Sequence, residues 1–128
     1  MCAQDRPPFS NWDVSPDGSA IALVHNDNNQ LRILDLGTKQ ERSIRVDGWH
    51  GFEHVAWAAD GKALYLNGSS PKKVGYAALL RVDLLGHVSV LRQKEYEWHA
   101  SPVPSRDGRR LAFAVMPFHG NVWVLENF

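Results

Sequence analysis

Trp57-Ala58-Ala59-Asp60-Gly61-Lys62-Ala63-Leu64-Tyr65-Leu66 reads as an apolar run, a tight Asp-Gly turn and a second apolar run. Asp-Gly between two such runs is a strong hairpin signal, because the turn needs positive φ and glycine adopts it at no steric cost. The device recurs at Val14-Ser15-Pro16-Asp17-Gly18-Ser19-Ala20-Ile21-Ala22-Leu23 and at Pro104-Ser105-Arg106-Asp107-Gly108-Arg109-Arg110-Leu111-Ala112-Phe113. The Asp-Gly pairs of these three stretches lie 43 and 47 residues apart. That period gives each repeat room for several strands.

Outward from these turns, Phe9–Val14 and Ala20–His25 flank the first, and Asn26-Asp27-Asn28-Asn29 is a polar turn cluster. Leu31–Leu36 and Glu41–Val46 complete a four-strand meander. The second repeat copies the plan with His54–Trp57, Lys62–Asn67, Tyr76–Leu84 and Val88–Arg92, and a longer loop holds Lys72-Lys73. The third runs from about Trp98-His99 through Leu111–Met116 to Asn121–Phe128, where a fourth strand is lacking. No window keeps a helical apolar period over three turns, so the chain is expected to be all-β.

Hydrophobic residues make up 44% of the 128 and charged residues 22%, enough for a packed core. Lys plus Arg equals Asp plus Glu at 14 each, which leaves no net field to draw the chain onto nucleic acid or an anionic membrane. No apolar run approaches the roughly 20 residues of a bilayer span, and Met1–Pro8 has no signal-peptide core. Cytoplasmic is the default reading, and the lone Cys2 leaves the redox compartment open.

The repeated order of apolar residue, small residue, proline or substitute, Asp-Gly and aliphatic strand resembles the WD-like β-propeller repeats of TolB-type proteins. The third strands strengthen the likeness: Leu31-Arg32-Ile33-Leu34-Asp35-Leu36, Leu80-Arg81-Val82-Asp83-Leu84 and Val122-Trp123-Val124-Leu125-Glu126. Ala59 and Arg106 depart from the proline kept at Pro16. The resemblance implies a linker at 1–8 and blades at about 9–47, 48–94 and 95–128, each with its first strand nearest a central channel. Rings of such blades usually hold about six to eight. Three blades are therefore expected either to be the C-terminal part of a longer bacterial propeller or to pair as a homodimer closing a six-bladed ring.

The densest polar-aromatic cluster, Asp47–His54, leads into the second repeat, with a similar run at Glu97-Trp98-His99. Trp49, His50, Phe52, Glu53, His54, Trp98 and His99 are the candidate ligand- or partner-binding residues at a channel mouth. His50, Glu53 and His54 have zinc-ligand chemistry but sit in a loop without helical spacing, so packing and capping is the preferred reading and no metal or cofactor is expected. Trp57 and Trp123 are read as packing between blades. Asp17, Asp60 and Asp107 are read as turn formers rather than calcium ligands. No nucleophile elbow, phosphate loop or dinucleotide fingerprint is present. The expected function is a non-catalytic propeller segment acting as a protein- or ligand-binding scaffold. The alternative is an accessory, gating propeller of a prolyl-peptidase-like hydrolase.

Overall fold

A computed structural model of the chain describes residues 10–25, 29–70, 72, 76–95, 97–116 and 121–128. The expected linker at 1–8, Phe9, the 26–28 part of the turn cluster and Lys73 lie outside the described residues. Among those described, the chain forms strands and no helix, hence none long and apolar enough to cross a membrane.

The strands are β1 (Ser10–Val14), β2 (Ala20–His25), β3 (Gln30–Asp35), β4 (Glu41–Arg45), β5 (Val55–Trp57), β6 (Ala63–Ser69), β7 (Tyr76–Asp83), β8 (Val88–Glu95), β9 (Trp98–Pro104), β10 (Arg110–Met116) and β11 (Asn121–Glu126). They form three antiparallel sheets in chain order: β1-β2-β3-β4, β5-β6-β7-β8 and β9-β10-β11. Among the described residues the third sheet has three strands where the other two have four.

The Asp-Gly turns differ in form from the two-residue turn expected. Ser15 N donates to Ala20 O at 2.8 Å and Gly18 N to Ser15 O at 2.9 Å, so the loop spans four residues. Only the glycine enters the left-handed region, at φ 75° in Gly18, 71° in Gly61 and 73° in Gly108. Each aspartate instead accepts a backbone N–H two residues on, from Ser19, Lys62 or Arg109 at 2.9–3.0 Å. In the first and third turns a serine joins in. Ser15 and Ser105 Oγ donate to the aspartate at 2.7 and 2.6 Å and accept from Ala20 N and Arg110 N at 3.0 Å. Hydrogen bonds from the Ser19 hydroxyl and amide and from the Ser15 hydroxyl hold the Asp17 carboxyl at about 2.

Packing follows the strand alternation. Ala22, Val24, Leu31, Ile33, Ile44 and Val46 of the first sheet are buried against Val55, Trp57, Leu64, Leu66, Leu80 and Val82 of the second. The other face of the second sheet, with Ala63, Tyr65 and Leu79, buries Leu111, Phe113 and Val115 of the third. Lying between two sheets, β6 is buried from Ala63 to Gly68 and reads as a nearly unbroken apolar run.

The first strands of the three sheets, β1, β5 and β9, lie side by side. The first junction is polar. Asn11 Oδ1 accepts from Val55 N at 3.1 Å and Asp13 Oδ2 from Trp57 N at 2.8 Å, while the Trp57 indole donates to Asp13 O at 3.0 Å. These are open-edge amides of β5 that its own ladder does not satisfy. At the second junction the matching register positions are Ala56, which has no acceptor, and Pro104, which has no N–H. Pro102 sits where the β9 ladder slips register. Each donor at the first junction has its acceptor, and at the second both are missing together.

Candidate functional site

The Trp49–His54 run is built by an interrupted ladder. His50 and Ser69 exchange backbone hydrogen bonds at 2.8 and 3.0 Å, and regular pairing resumes at Val55↔Leu66. Between these points the segment departs from β6. The Asn67 side chain fills the gap, its Oδ1 accepting from Glu53 N at 2.9 Å and His54 N at 2.8 Å. Gly48 and Gly51, at φ 87° and 69°, supply the left-handed steps that reverse the chain. The result is an irregular loop held in a fixed shape by a buried amide.

Phe52 drops from this loop into the core and is fully buried. Its ring lies on the Gly68 backbone, where an added Cβ would come within 3.1 Å of it and 3.3 Å of Leu80. The expectation that Phe52 faces a partner is corrected by this burial: the ring closes the floor of the loop. Trp49 is half-buried against the same core, whereas His50 is exposed and Glu53 and His54 are half-buried. Burial lowers the His54 imidazole below the usual histidine range, with the Glu53 carboxylate pulling the other way. Among the described residues no group of three or more His, Cys, Asp or Glu is arranged to hold a metal ion, so His50, Glu53 and His54 do not converge.

Trp98 pairs with Met116 in the third sheet at the position where His50 meets Ser69 in the second, so both runs lie at the same end of their sheets. Trp98 is half-buried. His99 is completely buried beside Phe113, with ring centroids 6.0 Å apart, and neither ring nitrogen has a hydrogen-bond partner. Its place among the surface candidates is likewise corrected, since alternation turns it inward. Desolvation lowers its pKa first, the Arg92 guanidinium adds to this, and Glu97 opposes both. Glu97 accepts from Arg92 at 2.9 Å and pairs with Lys94 at 3.2 Å. The Arg92 guanidinium also sits 5.2 Å from the Trp123 ring centroid, which places that indole against the outer strand of the second sheet. Trp57 is buried between the first two sheets.

At the opposite, Asp-Gly end, a groove of about 820 Å³ opens between the first two sheets, lined by Asp17, Asp35, Glu41, Arg42, Trp57 and Asp60 among others. A smaller one of about 380 Å³ repeats it between the second and third, with Arg81, Arg106 and Phe128. The sequence pointed to neither groove. Asn67, Asn11 and Asp13 were missed as well; polar residues inside otherwise apolar strands were the available signal.

Neither a protein-family model nor a curated protein matches the sequence. Solved structures do. A TolB protein of Agrobacterium tumefaciens superposes with a TM-score of 0.73 at 19% identity, over 96% of this chain and 47% of that one. An oligogalacturonate lyase in complex with manganese gives 0.74 at 22% identity, over 94% and 39%. A conserved lipoprotein of Clostridium novyi NT gives 0.70 at 13% identity, over 98% and 92%. The chain thus spans less than half of the first two and nearly all of the third. At these identities the likeness shows the fold alone, an all-β arrangement of β-propeller type.

Proposed function

We propose that this chain is a TolB-like propeller segment acting as a non-catalytic binding scaffold, with its binding edge at the Trp49–His54 and Glu97–Trp98 end of the sheets. The carrying observation is the loop pinned by Asn67. It holds His50 out in solvent, and Glu53 and His54 half out, on a backbone whose hydrogen bonds are fixed by a buried side chain. Such a pre-shaped edge binds with little ordering cost. Aromatic surface at Trp49 and Trp98 beside a carboxylate and imidazoles suits an extended peptide or protein loop carrying basic and apolar side chains. In this reading the chain performs no chemistry of its own. A second reading, part of a longer enzyme's propeller, draws support from the 39% of the lyase chain that this one spans.

The test is selection of a displayed library of short random peptides on the wild-type protein, followed by affinity measurement on His50→Ala, Glu53→Gln and Trp98→Ala. Selected peptides should lose about tenfold or more in affinity on at least two of these. Peptides that bind all three variants as well as wild type would place the binding edge elsewhere.

A further inference from the structure

The two grooves at the Asp-Gly end match one another in register and differ in charge. Each lies between successive turns: Asp17 and Asp60 line the first, Asp60 and Asp107 the second. Aligning the turns sets Ala59 of the first groove against Arg106 of the second. Aligning the strands sets Ile33, which pairs with Ala22, against Arg81, which pairs with Tyr65. Both arginines line the second groove. There the fold itself supplies two guanidinium groups alongside two turn aspartates, and in the first groove both positions are uncharged.

The first groove is also the more acidic. Asp35, at the end of β3, adds a third carboxylate, and Glu41 a fourth that Arg32 engages. Among the described residues that line the groove, Arg42 is the one cation. Turn hydrogen bonds keep Asp17 and Asp35 below the ordinary carboxylate range. Those bonds fall on Oδ1, as does the one Asp60 accepts from Lys62 N. Three aspartates thus border a space of about 820 Å³ that also meets apolar surface from Trp57, Ile33 and Leu84.

We propose that the first groove binds an arginine side chain presented by a partner protein, which takes the place that Arg81 and Arg106 hold in the second. Charge complementarity selects a cation, with three aspartates against one guanidinium. The apolar and aromatic lining selects arginine over an ammonium group. A guanidinium is planar and weakly hydrated, so it packs on such surface while its N–H groups reach carboxylate oxygens, often two at once. The volume falls within the roughly 300–1,000 Å³ of ligand clefts and admits the side chain together with its neighbours. This site lies at the opposite end of the sheets from the Trp49–His54 edge and does not rest on it.

The experiment is calorimetric titration of the whole chain, at low ionic strength, with the blocked tripeptide acetyl-Leu-Arg-Leu-amide. The comparison peptide carries citrulline, which keeps the shape of arginine and loses the charge. Saturable binding of the arginine peptide is expected, with the citrulline peptide about tenfold weaker or more. Ala59→Arg writes the second groove's residue into the first and should weaken binding about tenfold or more. The matching position of the third turn already carries Arg106. Asp60→Asn keeps a side-chain oxygen for the Lys62 amide and should weaken binding severalfold. Near-ultraviolet circular dichroism reports that each variant is folded. Absence of saturable binding to wild type overturns the inference, as does equal binding of the citrulline peptide or of both variants. Trp98→Ala, titrated alongside, reports on the other edge: weakening there with Ala59→Arg unaffected overturns this site and leaves that one standing.

Discussion

Removing the Asp13 carboxylate is the sharpest perturbation of the first inter-sheet junction. Asp13→Ala deletes the acceptor 2.8 Å from Trp57 N, an amide on a residue only 6% exposed, while the indole bond to Asp13 O survives because it uses the main chain. A buried donor left without a partner costs about 1–3 kcal/mol, and a charged acceptor belongs in the upper half of that range. The expected loss is therefore ~2 kcal/mol, or a melting temperature lowered by ~6–12 °C in a domain of this size. Asp13→Asn keeps an amide oxygen and should lose about half as much. Ala56→Asp, at the matching position opposite Pro104, buries a carboxylate with no donor to receive it and should destabilise rather than strengthen the second junction. Urea unfolding followed by tryptophan fluorescence reads all three. An Asp13→Ala protein within ~0.5 kcal/mol of wild type, or an Asp13→Asn protein equally damaged, would refute the role given to this side chain.

Two further substitutions probe the loop and the buried imidazole. Gly68→Ala drives a methyl into the Phe52 ring and Leu80, and should cost about 1–3 kcal/mol in the same unfolding assay, with Phe52→Leu relieving part of the loss in the double variant. The folded-state pKa of His99 lies below its ordinary 6.5, so the unfolded chain binds more protons, and stability should fall as pH drops from about 6.5 toward the folded value. His99→Leu removes two buried nitrogens that lack a hydrogen-bond partner and should flatten most of that slope while raising stability at neutral pH by about 1 kcal/mol. His54, lowered in the same direction, leaves a residual slope, and an unflattened profile in His99→Leu would show that His99 does not set it.

The strands and turns were legible because their causes are local. Asp17, Asp60 and Asp107 each bond an amide two residues away, and the apolar runs that follow declare β2, β6 and β10 within two residues of their ends. The four-residue form of the turns was hidden because an Asp-Gly pair alone does not set the loop length: the second turn closes as the others do, Ala58 N on Ala63 O at 2.8 Å and Gly61 N on Ala58 O at 2.9 Å, with no serine to mark it. The junction was illegible for a different reason: Asp13 and Trp57 are 44 residues apart, and nothing near either one names the other. The proposed binding edge was half visible. A mixed run such as Trp49–His54 looks alike whether a ring points in or out, so Phe52 and His99 were misassigned. The glycine at 68, in mid-strand among large side chains, was the clue that something presses close there.

The unlike junctions also give the array a direction of growth. Copying the middle unit behind itself would set Ala56 against a second Trp57 amide and leave that donor dry. Copying the first unit would offer Asp13 to the amide of the next Val14, a partner in the same register. A lineage of such chains would lengthen cleanly from its leading unit and would pay for every duplication of the middle one with compensating changes.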